Sequence, residues 1–220
     1  MTKVAVVLSG SGFLDGSEIQ ESVITMLALD RAGLSYQCMA PDMEQMHVVN
    51  HLNGEVSEGE SRNVLVEAGR IARTQIIDIA KANPNDYSAV IFPGGYGAAK
   101  NLSDFAVNGA ASTVQTDVLQ FARAFAATEK PMGFVCIAPA IIPHIYGADA
   151  KLTIGSDADT AAAINEMGGI HINCPVDEFV VDEERNLVST PAYMLDMRIS
   201  EVATGIEKLV HKIIEMINGK

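Results

Sequence analysis

Short, wholly apolar runs alternate along the chain with longer stretches in which apolar residues recur every three or four positions. Val-Ala-Val-Val-Leu at 4–8 reads as a strand buried on both faces, as in the interior of a parallel sheet. Ser17-Glu18-Ile19-Gln20 then has capping-box spacing, with the Ser17 hydroxyl as cap. Ile19, Val23, Met26 and Leu27 continue as the inward stripe of a helix that Gly33 stops. Residues 36–40 predict a second strand, and Asn53-Gly54 marks a tight hairpin turn inside the polar, irregular stretch 42–60. Leu65, Ala68, Ala72, Ile76 and Ile79 predict a single helix.

The same alternation carries on to the end. Residues 89–92 and 132–135 predict buried strands, separated by a helix with Val118, Phe121, Ala122 and Phe125 on one face. Strands at 151–154 and 170–173 flank a helix over 159–167. Residues 179–182 and 187–190 form a hairpin around Glu184-Arg185-Asn186. The last helix aligns Ile199, Val202, Ala203, Ile206, Leu209, Val210, Ile213 and Ile217. Strand–helix alternation implies a mostly parallel sheet with helices on both faces. No repeat, low-complexity tract or linker interrupts it, so residues 1–220 are expected to form one domain.

Composition narrows the function. The chain has 220 residues, is 48% hydrophobic and carries a net charge of −13. Such a balance repels phosphate backbones and argues against a nucleic-acid partner. No apolar run reaches the ~20 residues of a membrane span. The opening MTKVAVVLSG runs straight into a strand and does not read as a signal peptide. Cys38, Cys136 and Cys174 are odd in number and lack metal-ligand spacing, so no disulfide framework or metal site is expected. A reducing cytosol is the compartment these features suggest.

In such sheets, sites form beyond the carboxyl ends of the strands. Three of those ends stand out: Ser9-Gly10-Ser11-Gly12, Pro93-Gly94-Gly95-Tyr96-Gly97, and Cys136. The first begins like a dinucleotide fingerprint but lacks the third glycine, and Phe13-Leu14-Asp15 is bulky there. Cys136, between a strand and Ile137-Ala138-Pro139-Ala140, sits where a helix N-terminus would favour thiolate; it reads equally as a small buried apolar residue. Cys38 alternates into a strand core and Cys174 reads as a strand-end thiol. His171 and Cys174 find no further ligand cluster. His47 and His51 fall in the hairpin region, and His144 in the helix after the cysteine.

Four ordered segments, SGSGFLDGSEIQES (9–22), PGGYGAAKNLSDFA (93–106), GFVCIAPA (133–140) and NCPVDEFVVDEERNLVSTPAYM (173–194), carry a resemblance. Over essentially its whole length the chain resembles the ElbB-like glyoxalases, in the PfpI branch of the class I glutamine amidotransferase-like superfamily. The resemblance implies a flavodoxin-like three-layer α/β sandwich with a nucleophile-elbow cysteine, Cys136. It implies a carboxylate from the first helix beside that cysteine, Glu21 by position with Glu18 as the competitor, and a homodimer. The backbone N–H groups of Gly95 and Ile137 become the anion-holding pair.

The chain departs from the protease pattern at Ile137, where related peptidases have histidine, and 153–157 supplies none either. Peptide or glutamine cleavage expels an amine, which needs a positioned acid. The expected activity is therefore a slow, cofactor-free and glutathione-independent glyoxalase. It would convert glyoxal, or a related 2-oxoaldehyde, to the 2-hydroxy acid through a Cys136 hemithioacetal. Two other classes are compatible with the same residues: a thiol redox sensor, and a regulatory protein linked to isoprenoid synthesis that performs no turnover.

Overall fold

A computed structural model describes residues 2–219. In chain order its elements are β1 (Lys3–Val7), α1 (Ile19–Arg31), β2 (Ser35–Ala40), β3 (Val49–Asn50), β4 (Glu55–Val56), α2 (Val64–Ile71), β5 (Ile76–Asp78) and β6 (Ala89–Phe92). There follow α3 (Tyr96–Lys100), α4 (Phe105–Asn108), α5 (Thr116–Ala126), β7 (Met132–Val135), α6 (Ile142–Tyr146), β8 (Lys151–Leu152) and α7 (Ala158–Glu166). The chain closes with β9 (Ile170–His171), β10 (Val180–Asp182), β11 (Leu187–Thr190) and α8 (Ile199–Asn218).

Seven strands form one sheet in the order β10-β11-β7-β6-β1-β2-β5. Every neighbouring pair in it is parallel except β10–β11, the predicted hairpin. Strand β1 shows why the sheet needs cover on both sides. Val4, Val6 and Leu8 pack against Met26 and Leu29 of α1 and Val202, Ile206 and Leu209 of α8. Ala5 and Val7 point the other way, into Val118, Phe121 and Phe125 of α5. Phe92 and Phe134, on adjacent strands, stack with ring centroids 4.8 Å apart on that second face. This is the expected three-layer α/β sandwich. Among the described residues no helix is long and apolar enough to cross a membrane.

Four local expectations are corrected. The predicted helix through Ile79 ends at Ile71, because Arg73 and Thr74 adopt left-handed backbone angles; Ile76 and Ile77 belong to the edge strand β5. The cap of α1 is Glu18, whose carboxylate accepts from the Glu21 N–H at 2.6 Å, while Ser17 Oγ instead accepts from Ser9 N–H at 2.8 Å. The inward face of α1 is also different. Met26 is buried as expected, but Ile19, Val23 and Leu27 are exposed, and Glu21, Ser22 and Thr25 are buried in their place. The paired strands β8 and β9 are a separate two-stranded sheet rather than part of the main one.

Leu209 is fully buried between α8 and the sheet and remote from the strand ends. Leu209→Ala is expected to lower unfolding free energy by about 2–5 kcal/mol, read as a reduced urea midpoint with an unchanged slope.

Candidate active site

The site assembles where β1, β6, β7 and β11 end. Cys136 follows β7 directly, and its N–H still continues the ladder, donating to the Thr190 carbonyl at 3.0 Å. Its φ of 61° then leaves the strand conformation and projects the thiol off the sheet edge, as an elbow requires. The backbone continues into a 3₁₀ turn over Ala138–Ile141, in which Pro139 forfeits no bond, and then into the short α6.

The Gly95 and Ile137 backbone N–H groups bear on the Cys136 sulfur and favour its charged form. The Glu21 carboxyl lies beside Cys136, the two meeting across Gly94, and each shifts the other's titration. That carboxyl is fully buried and held at both oxygens. Gly94 N–H donates to Oε2 at 2.9 Å and Tyr193 N–H to Oε1 at 3.2 Å. Gly94 tolerates no side chain: a Cβ there would lie 2.3 Å from Cys136 Cβ and 2.7 Å from Glu21 Oε2. Gly95 has φ 93°, and a Cβ on it would meet the Glu18 nitrogen at 2.3 Å. Ala192, at φ 45°, makes the bend after β11 that turns the Tyr193 N–H towards Glu21.

The loop after β1 is fixed from outside. Buried Asn101 donates to the carbonyls of Ser9 (2.9 Å) and Asp15 (2.8 Å) and accepts from Met46 N–H at 2.9 Å. Asp15 in turn accepts from Val49 N–H at 2.7 Å, tying the β3–β4 hairpin to the same loop. Glu18 N–H donates to the Gly94 carbonyl at 2.9 Å, so the start of α1 and the glycine turn are locked together.

Burial governs the charge states. Desolvation, and then the neighbouring Glu18 carboxylate, push Glu21 up to about 8, against the opposing hydrogen bonds. Desolvation and the Glu21 charge push the Cys136 thiol well above its ordinary range, although the Gly95 and Ile137 N–H groups pull it down. This corrects the expectation of a helix-stabilised thiolate. The 3₁₀ turn and five-residue α6 supply no long dipole, and a second buried negative charge is disfavoured beside Glu21. Glu18, also raised by burial, lines the cavity in front of the sulfur.

Cys136, Glu21, Gly95 and Ile137 are thus brought together at one point. Glu18 sits beside them as helix cap and cavity wall. None of the five histidines is among these partners. His51 Nε2 accepts from Leu14 N–H at 3.3 Å, His144 pairs with Ser112 Oγ at 3.2 Å, and His171 faces Ile154 N–H at 3.3 Å. Cys38 lies in the core against Met26, and Cys174 against the Pro175 carbonyl. Among the described residues no cluster of three or more His, Cys, Asp or Glu side chains could hold a metal ion. Sequence reasoning missed Tyr193 and Asn101. Both stand inside segments that carry the resemblance, Tyr193 in 173–194 and Asn101 in 93–106, but Tyr193 acts through its backbone and leaves no side-chain signal.

The raised carboxyl has a consequence for stability. Folded Glu21 holds its proton to about pH 8, whereas the unfolded side chain releases it near 4.5. The native state therefore binds more protons across that window, and stability falls as pH rises from about 4.5 to 8. Glu21→Gln is expected to flatten this slope in urea titrations run at successive pH values.

Comparison with known proteins places the fold and site in context. The chain is 41% identical over 223 aligned positions to a human protein named glutamine amidotransferase-like class 1 domain-containing protein 3, mitochondrial. The match covers 97% of this chain and 83% of the human one. A crystal structure described as an isoprenoid biosynthesis protein with amidotransferase-like domain, from Ehrlichia chaffeensis, superposes with TM-score 0.92 at 36% identity. It covers 98% of this chain and 99% of that one. Glyoxalase III from Candida albicans shares the fold at TM-score 0.61 and 14% identity, over 98% and 97% of the two chains. No protein-family model matches. The human relative and its ES1 counterparts in rat and zebrafish are mitochondrial, which overturns the cytosolic expectation. Unpaired cysteines report a reducing environment, and that does not single out one compartment. By the extent and level of these matches, the chain belongs to the glutamine amidotransferase-like class 1 domain family.

Proposed function

We propose that the protein is a cofactor-independent glyoxalase acting on a 2-oxoaldehyde. The observation that carries this reading is a thiol set between two N–H donors and a buried carboxyl, with no histidine beside it. A hydrolase acting on amides has to protonate its leaving nitrogen; addition to an aldehyde expels nothing.

The steps follow from the proton inventory. Once ionised, Glu21 takes the thiol proton, and the sulfur adds to the aldehyde carbon. Negative charge passes to the former carbonyl oxygen, which the Gly95 and Ile137 N–H groups receive; such donors are each worth about 3–4 kcal/mol. Glu21 hands the thiol's proton to that oxygen, then removes the hydrogen on the sulfur-bearing carbon and returns it to the neighbouring carbon through an enediol, while the hydroxyl proton passes to the neighbouring carbonyl oxygen. The resulting thioester is cleaved by water, giving the 2-hydroxy acid and restoring the thiol. One carbon is oxidised and its neighbour reduced, so no external redox partner is needed. A carboxyl that titrates near 8 suits a shuttle that must both take and give a proton.

A second reading has one observation in its favour. The relative from Ehrlichia is described as an isoprenoid biosynthesis protein, which fits a regulatory role without turnover.

The deciding experiment follows glycolate from glyoxal by proton NMR with purified wild type and Cys136→Ala. Steady formation by the wild type, lowered at least a thousandfold in the variant, is expected. Its rate should rise with pH to a plateau above about 8, as Glu21 ionises. A wild type without turnover favours the regulatory reading, and Cys136-dependent ammonia release from glutamine would overturn the glyoxalase assignment. A homodimer is proposed with it: sedimentation equilibrium is expected to give twice the 23.4 kDa chain mass.

A further inference from the structure

The cavity in front of Cys136 has a volume of about 340 Å³, in the range of pockets that take ligands much larger than glyoxal. Glyoxal has four heavy atoms and would leave most of it unfilled. The walls are apolar and aromatic: Phe13, Tyr96, Phe105, Ile137 and Met194 all line it. Phe13 and Tyr96 are about half exposed, at 48% and 50%, and with Phe105 form one apolar face at the cavity rather than scattered single residues.

The charges are as telling as the shape. Among the described residues, Glu18 is the one charged side chain on the cavity wall, and neither lysine, arginine nor histidine lines it. Lys100, at the end of the helix that Tyr96 begins, is already committed. Its ammonium donates to the Leu14 carbonyl at 2.9 Å and lies over the Tyr96 ring. A ligand carboxylate or phosphate entering this cavity would lose hydration, find no cation and face Glu18.

We infer that the substrate is an uncharged 2-oxoaldehyde with a sizeable apolar or aromatic substituent, and that acidic substrates are excluded by Glu18. The inference rests on the glyoxalase reading and adds the substrate class. The substituent lies between Phe13, Tyr96 and Phe105 while the aldehyde meets the Cys136 sulfur. Binding of that remote group holds the reacting carbon in place, so its effect is read in kcat/KM.

The test compares glyoxal, phenylglyoxal and 4-carboxyphenylglyoxal as substrates of the full-length protein, with mandelate-type products quantified by chiral chromatography. Phenylglyoxal is expected to show kcat/KM at least tenfold above glyoxal, mostly through a lower KM. The carboxylated analogue is expected at least tenfold below phenylglyoxal. Tyr96→Ala and Phe105→Ala should each reduce the phenylglyoxal-to-glyoxal ratio severalfold. Glu18→Gln, which keeps an oxygen to cap α1, should shrink the discrimination against the carboxylate. Two outcomes overturn the inference and leave the glyoxalase reading standing: glyoxal used as well as phenylglyoxal, or equal use of the neutral and carboxylated compounds. Failure of all three compounds with folded wild-type protein would overturn the glyoxalase reading and the inference with it.

Discussion

A carboxyl with no solvent exposure, Glu21, sets the terms for everything around it. A buried carboxyl is tolerated only when its oxygens are satisfied, and here two backbone N–H groups do so, one at each oxygen. Each partner imposes its own backbone constraint. Gly94 can approach closely only without a Cβ, Tyr193 is aimed by a left-handed Ala192, and Cys136 meets the carboxyl from a left-handed elbow. Strain of this kind persists where surrounding structure over-determines it. The parallel sheet provides that rigidity, since all three segments are anchored at the ends of paired strands, and Glu21 itself sits on a helix locked to the glycine turn through Glu18.

The same burial decides the chemistry available. Two adjacent buried acids cannot both ionise cheaply, so Cys136 and Glu21 act as one unit that carries at most one negative charge near neutrality. The Gly95 and Ile137 N–H groups stabilise that charge when it lies on sulfur, and those of Gly94 and Tyr193 when it lies on the carboxyl. The proton can therefore move between the partners without either being stranded. Histidines are spent elsewhere: His51 bridges the β1 loop to the β3–β4 hairpin, and His144 and His171 satisfy local groups.

Much of this could be read from the residues in order. The apolar runs at 4–8, 89–92 and 132–135 are long enough and pure enough to require burial on both faces, which is a statement about a parallel sheet. The stripe of α5 reports its inward face correctly, and that of α8 does so at Val202, Ile206, Leu209, Val210 and Ile213 although Ile199 is exposed, because packing is all those faces do. Cys136 and the glycines at 94 and 95 are visible as a thiol and a turn at strand ends, and resemblance to a family linked them to Glu21.

Where periodicity failed, another physical demand had outbid it. On α1 the inward positions hold Glu21, Ser22 and Thr25, so the apolar stripe of Ile19, Val23 and Leu27 points to solvent. The helix predicted through Ile79 breaks at Arg73-Thr74 because the sheet edge recruits Ile76 and Ile77 as a strand. The charge state of Cys136 followed from depth and from a neighbour 115 positions away in sequence, neither of which local spacing encodes. Sequence by itself determined which residues must be buried and which could react, since hydrophobicity and side-chain chemistry are local properties. Only tertiary structure decided which reactive groups meet, how dry the meeting point is and where its protons reside, because those depend on distances between segments far apart along the chain.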